Sequence, residues 1–303
     1  MSDAVRHRMT KLERADFALG LALILPAAAL LGLVVVYPVV DLIKTGFYEL
    51  KLSEGPADPK YVGLANFAKA WGDGTLWESL RTTIIVVVTT VPGALICGLG
   101  LALLANRAVH AKWLIRLAML MPWMLPLVFT GLLFRWFFDF KLGLVNDALT
   151  RAGLAAPQWL SSPNLAMLAI VAAIVWKTSS FVAMVLLAGL QSIPKSLYEA
   201  AEIDGAGVWS QFTEITLPML RPAIIVALVF RTITAIQTFD IPYAMTGGGP
   251  GNSTETLAMY IQKTSIDFLD FGYGSALATL MFLVSMAATS FYLKYIYRDT
   301  GRA

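Results

Sequence analysis

Charge is scarce in this 303-residue sequence: 14% of its residues are Asp, Glu, Lys or Arg, against 57% apolar. Soluble domains carry about 25% charge. A water-facing surface of this size could not be covered, so much of it is expected to face lipid. A single cysteine, Cys97, excludes a disulfide within the chain, and the two histidines, His7 and His110, are too few for a Cys/His metal cluster. The net charge of +3 is too small for a nucleic-acid binder. No Gly-Lys-Ser/Thr run follows the glycines at 247–251, so a phosphate cradle is excluded there and ATP hydrolysis by this chain is not expected. No catalytic grouping of Ser, His, Asp or Cys lies in or near the apolar runs, which argues against a membrane enzyme.

Long apolar runs are what the chain has in abundance, with a mean hydropathy of +0.68. Crossing about 30 Å of hydrocarbon takes about 20 residues of helix. Segments 17–40, 80–105, 117–138, 165–190, 222–242 and 275–297 meet that length approximately. Lipid offers no backbone partners, so each is expected to be helical. The first run exceeds the 7–15 apolar residues of a signal core and reads as an uncleaved span. Lys and Arg set the direction. Arg6, Arg8, Lys11, Arg14, Arg107, Lys112, Arg116, Lys195, Arg221, Lys294, Arg298 and Arg302 fall on one side; fewer fall in the longer opposite loops. Both termini, 1–16 and 298–303, are therefore expected in the cytoplasm. Tyr37, Trp113, Trp136, Tyr292 and Tyr295 near span ends fit aromatic belts.

The segment 191–221 is too patterned for a plain connection. Pro194 can start a helix, on which Leu197, Ala200, Ala201 and Asp204 share a face. Gly205 and Gly207 permit a sharp turn, and a second short helix would carry Phe212 and Ile215 before Leu217-Pro218 enters the fifth span. An interfacial helix would be basic. This one carries Glu199, Glu202, Asp204 and Glu214, which an anionic leaflet would repel. A docking knob for a protein fits better.

Polar groups within spans are costly and point to function by default. Lys177 and Arg231 lie well inside the fourth and fifth spans. Snorkelling to the headgroups is the alternative for both. Arg231, Thr234 and Thr238 fall on one helical stripe, whereas Gln237 and Asp240 fall off it and suit helix contacts or helix-end bonding. A guanidinium beside hydroxyls suits a hydroxyl-rich ligand, with polar glue between helices as the alternative. Pro122 and Pro126 disturb the third span around Trp123, which could stack on a sugar face, and broken helices commonly line transport cavities. Thr178 and Phe181 could line the same cavity.

Glu199-Ala200-Ala201, then Gly205, then Ile215 and Leu217-Pro218 resemble the coupling-loop signature of permease subunits in binding-protein-dependent ATP-binding-cassette (ABC) importers, with the same spacing. Val62–Phe67, Leu120–Pro126, Leu187–Pro194 and Thr246–Pro250 are similar to the maltose-type, carbohydrate-importing branch. The resemblance runs from about residue 20 to 297 and lacks the large external insertion of some members. It implies an all-α, six-helix type I permease fold with cytoplasmic termini, in the bacterial inner membrane. It also implies a second homologous permease subunit, two ATPase subunits that use ATP and Mg, and an extracytoplasmic solute-binding protein. Glu199, Ala200, Ala201, Asp204, Gly205, Ile215, Leu217 and Pro218 would contact the ATPase. Trp123, Lys177, Thr178, Phe181, Arg231, Thr234 and Thr238 would meet the solute, six of them (Lys177 apart) aligning with the branch's solute contacts. Several aligned positions differ in residue type, so a different solute is expected, and Arg231 with Lys177 leaves room for a phosphate or sulfonate. The glycine run would form a turn at the external mouth, where a solute receptor could dock. An ion-coupled carrier is the competing expectation; its relay of buried carboxylates is represented weakly, by Asp240.

Overall fold

The computed structural model describes residues 11–55, 58–107 and 112–300. Arg6, Arg8, His7, His110 and Arg302 lie outside the described residues. Helices dominate. In chain order they are α1 (Lys11–Leu31), continued by a π turn into α2 (Tyr37–Thr45); α3 (Ala65–Trp71); α4 (Gly74–Arg107); α5 (Lys112–Met124); α6 (Leu127–Phe137); α7 (Leu144–Arg151); and α8 (Pro163–Ser192). There follow α9 (Lys195–Ile203), α10 (Val208–Gln211), α11 (Leu217–Ile236), α12 (Asp240–Thr246), α13 (Leu257–Gln262) and α14 (Phe271–Thr300). A short antiparallel ribbon pairs Tyr48 with Tyr61 and Glu49 with Lys60.

Among the described residues, five helical stretches are long and apolar enough to cross a membrane: Leu19–Thr45, Gly74–Arg107, Pro163–Ser192, Val208–Ile236 and Phe271–Phe291. The α5–α6 pair makes a sixth if counted as one span, but it bends by 95°. The span expected over 117–138, with its helix disturbed at Pro122 and Pro126, is thus two helices, and the break falls at Pro126. Pro126 has no N–H and disfavours helix at the residue before it, and it adopts an extended conformation at φ −57° and ψ 144°. Pro122 stays inside α5. The fifth span also differs from 222–242. It is helical from Val208, through a π turn at Phe212–Thr216, to Ile236. The separate second short helix expected before Pro218 is thus an extension of this span. The wider π turn places Pro218 in the next helix's first turn, where a missing N–H is tolerated.

Helix α8 is the centre of the bundle, with 56% of its apolar window buried, whereas none of the Leu19–Thr45 window is. In lipid, apolar burial hardly drives association, and close backbone approach at small residues does. A Cβ on Gly98 would lie 2.7 Å from the Val182 side chain and 3.0 Å from the Ser179 carbonyl; one on Gly93 would lie 2.9 Å from Val175. The same contact recurs between α8 and α11, where Gly189 faces Ala223 and Leu220. Ala94, Ala102, Val182, Ala183, Leu186 and Leu220 are fully covered around these contacts.

At the far end of α4 from Arg107, Asp73 ties three elements together. One carboxylate oxygen accepts the N–H groups of Thr75 and Leu76, capping α4, at 2.9 and 3.3 Å. The other accepts the Tyr260 hydroxyl at 2.6 Å and that of Tyr273. Burial by itself raises the Asp73 carboxyl, but these two hydroxyls and the two N–H groups outweigh it and hold the group below its ordinary value. A carboxylate with a depressed folded-state pKa stabilises the protein above its unfolded pKa and loses that contribution as pH falls through the folded one. Asp73→Asn is expected to lower the unfolding midpoint at neutral pH. Its difference from the parent should shrink as pH falls below about 4, as read by thermal unfolding of the purified protein across pH 7 to 3.

Candidate functional site

A cavity of about 520 Å³ opens between the α5–α6 break, α8 and the C-terminal half of α11. Its size lies within the usual range for small-molecule sites, about 300–1,000 Å³. Trp123, Lys177, Thr178, Phe181, Arg231, Thr234 and Thr238 all line it, so the seven residues selected from sequence are brought together. Gln237 and Asp240, assigned above to helix contacts or helix-end bonding, line it too. Both do lie at helix ends, Gln237 at the close of α11 and Asp240 at the start of α12, and their place on the cavity wall is what the 100° rule could not give beyond Ile236. The polar residues Gln237, Thr238 and Asp240 directly after an apolar stretch were the available signal of that helix end.

Lys177 does not snorkel. It is 5% exposed, and its ammonium donates to the carbonyls of Pro122 at 3.1 Å, Trp123 at 3.2 Å and Leu125. The last carbonyls of a helix have no intrahelical donor, and here Pro126 cannot supply one. Lysine offers three donors, and three carbonyls take them. A cation at a helix C-terminus is also favoured by the helix dipole. Lys177 thus holds the broken end of α5 and, with it, the backbone of Trp123.

Arg231 is equally buried, at 5% exposure, but is held differently. Its Nη1 donates to the Thr234 hydroxyl at 2.8 Å, and its Nη2 lies 3.5 Å from that of Thr90 on α4. Nε has no partner. Three threonines on the wall donate to their own helices: Thr178 to Ile174 at 2.6 Å, Thr234 to Phe230 at 2.9 Å, and Thr238 to Thr234 at 3.2 Å. Each hydroxyl therefore keeps lone pairs for an incoming donor. Phe181 packs edge-on against Phe230, with ring centroids 6.1 Å apart.

The 191–221 loop stands at the other end of α8. Helix α9 closes on Asp204, and Gly205 follows at φ +78°, a left-handed conformation natural to glycine. A Cβ there would meet nothing within 4 Å, so the requirement is conformational and not one of space. Glu199, Ala200, Asp204 and Pro218 are exposed and Ala201 half-buried. Ile203, Val208 and Trp209 present apolar surface at 86%, 65% and 75% exposure. Ile215 packs into the α4–α8–α11 core, Leu217 is exposed beside it, and the Tyr198 hydroxyl meets that of Thr216 at 2.9 Å, fastening α9 to the base of α11. The glycine loop has left-handed Gly247, Gly248 and Gly251, and is closed by Thr254 donating to the Gly249 carbonyl at 2.8 Å.

Replacing Lys177 with methionine keeps the unbranched stem and removes the donor. It is expected to cost about 1–3 kcal/mol, the usual penalty for orphaned buried acceptors, measured as a lower unfolding midpoint in detergent. An unchanged midpoint would show that the α5 carbonyls do not depend on it.

Residues 75–302 match the family described as binding-protein-dependent transport system inner membrane component. The chain is 54% identical over 286 residues to the sulfoquinovosyl glycerol transport system permease protein SmoG of Agrobacterium fabrum, covering 94% of this chain and 92% of that one. It is 37% identical over 287 residues to the trehalose/maltose transport system permease protein MalF of Thermococcus litoralis, covering 94% and 96%. Among solved structures, a chain of a bacterial alginate ABC transporter, in complex with an alginate pentasaccharide-bound periplasmic protein, superposes with a TM-score of 0.81 at 23% identity, covering 97% of this chain and 99% of that one. Matched by the model over three-quarters of its length and by permease proteins over nearly all of it, the chain belongs to the inner membrane components of binding-protein-dependent transport systems.

Proposed function

We propose that this chain forms half of the translocation route of an ATP-driven sugar importer, with the 520 Å³ cavity as the solute's station and the 191–221 loop as the grip for a separate ATPase. A solute-binding protein delivers the sugar. A second homologous permease subunit completes the route, and two ATPase subunits use ATP and Mg. The permeases for sulfoquinovosyl glycerol and for trehalose/maltose support a carbohydrate-type solute. Cavity chemistry supports it as well: threonine lone pairs suit sugar hydroxyls, and Trp123 and Phe181 offer apolar faces.

The observation that carries the coupling is how the loop is joined. Helix α8 runs to Ser192, and α9 starts at Lys195. On the other side, Val208 to Ile236 is one continuous helical stretch. The two helices that leave the knob are therefore the two that bear Lys177, Thr178 and Phe181 on one side and Arg231 and Thr234 on the other. A displacement of the knob moves both cavity walls through rigid helices. Exposed acidic side chains around Ile203, Val208 and Trp209 give the ATPase both charge and apolar area to hold. An ion-coupled carrier would need several buried carboxylates, and Asp240 is the one carboxylate among the residues lining this cavity.

Glu199→Ala and Gly205→Val are expected to reduce ATP-dependent uptake by about tenfold or more, as loss of an interface hot spot does, while the membrane level of the chain stays near that of the parent. The measurement is uptake into proteoliposomes holding the full assembly, alongside quantitative blotting of membranes. Variants that still couple uptake to ATP would remove the knob from the mechanism.

A further inference from the structure

Charge on the cavity wall is unevenly matched. Lys177, Arg231 and Asp240 are its ionisable side chains. Two positive groups against one negative leave a single positive charge, and among the described residues Asp240 pairs with neither cation. The two cations are not equivalent. The donors of Lys177 are taken by three carbonyls whose need is structural. Those of Arg231 are engaged by two hydroxyls, one of them at the 3.5 Å limit, and Nε is unpartnered in a side chain that is 95% buried.

Polar glue between α11 and α4 would resemble the Lys177 site, with short contacts and every donor satisfied. Arg231 lacks both. A guanidinium kept at this depth without a carboxylate is costly, and it stays poised for an anion, which it can grip with two parallel N–H groups. The rest of the wall has the complementary bias. The hydroxyls of Thr178, Thr234 and Thr238 have their protons turned into the helices and so offer acceptors. Hydroxyl donors are wanted there, and an acceptor anion is wanted at Arg231.

We infer that the cavity takes a polyhydroxy solute carrying one monoanionic oxyanion, a sulfonate or a carboxylate, and that Arg231 is the residue that selects for that group. The inference rests on the cavity being the solute's station in an importer. It adds the charge of the solute and names the side chain that reads it. Thr234 positions the guanidinium by accepting from Nη1. One negative charge on the solute would neutralise the site as a whole.

The test uses the complete importer with its ATPase and solute receptor in proteoliposomes. Two probes are compared: a glucosyl glycerol with a sulfonate in place of its 6-hydroxyl, and the uncharged parent glycoside. The readout is the ratio of charged to uncharged uptake, which does not depend on how much protein folds and in which the receptor's own preference cancels between variants. Arg231→Met is expected to lower that ratio by about tenfold or more, the worth of a charge-assisted hydrogen bond. Arg231→Lys, which keeps the charge but not the fork, should fall between. A ratio unchanged in both variants overturns the assignment and leaves the importer intact as a sugar carrier. A parent importer that takes the uncharged glycoside and refuses the sulfonate overturns it equally. If the parent complex shows no receptor-stimulated ATP hydrolysis, the importer reading fails and the inference goes with it.

Discussion

The contact between the Lys177 ammonium and the end of α5 decides the shape of everything around the cavity. Hydrocarbon supplies no water to a broken helix, so a 95° bend between α5 and α6 survives only if protein donors replace the lost ladder. Pro126 removes the donor the backbone would have used. Lys177, 52–55 residues further along the chain, returns three. The bend then does two things at once: it opens space beside α8, and it brings Trp123, Leu125, Pro126 and Leu127 to the rim of that space. A straight third span would have filled the room that the cavity occupies.

Rigidity elsewhere makes that local break useful. Gly93 and Gly98 let α4 lie against α8 so closely that an added Cβ would collide with Val175 and Val182, and Gly189 does the same toward α11. Interlocking of this kind leaves little slack for bending. Motion imposed at α9 is then transmitted and not absorbed. The Tyr198–Thr216 hydroxyl contact helps, because it ties α9 to the base of α11 and makes the knob one piece with the wall it moves. At the opposite end the Asp73 carboxylate joins the start of α4 to Tyr260 and Tyr273, so that the long α4 is held at its start as well as along its contact with α8.

Much of this was legible in the sequence because hydrophobic length and motif spacing are local properties. The apolar runs located the long helices, and the family resemblance located the knob with its glycine at Gly205, where a positive φ is indeed found. The cavity residues came together because polar groups in apolar helices are rare enough to stand out. What could not be read were the features set by contacts distant in sequence. Lys177 and Arg231 look alike in a hydropathy trace, and only the fold shows that one faces three carbonyls while the other faces hydroxyls. The end of α11 at Ile236 was misplaced because the fifth span was read as running on to residue 242, with Gln237 and Asp240 placed by a helical rule that no longer held there. The π turn at Phe212–Thr216 leaves no mark in composition, so the knob's second arm was taken for a separate helix.

The comparison of those two cations carries a more general point about buried charge in membranes. A lysine has three donors around one point and fits a cluster of carbonyls, such as a frayed helix end, with none left over. An arginine has five donors in a planar fork, which the curved wall of a helix bundle can rarely satisfy in full without a carboxylate or phosphate. When such a fork is 95% buried and still short of partners, it keeps a donor in hand for something that arrives later. Near the break, the lysine keeps the cavity open whether or not solute is present. On α11, the arginine keeps an unpaired donor that a negative group would satisfy. The same charge, at similar burial and on the same cavity, thus divides between holding the site and reading its contents, and the division follows from side-chain geometry alone.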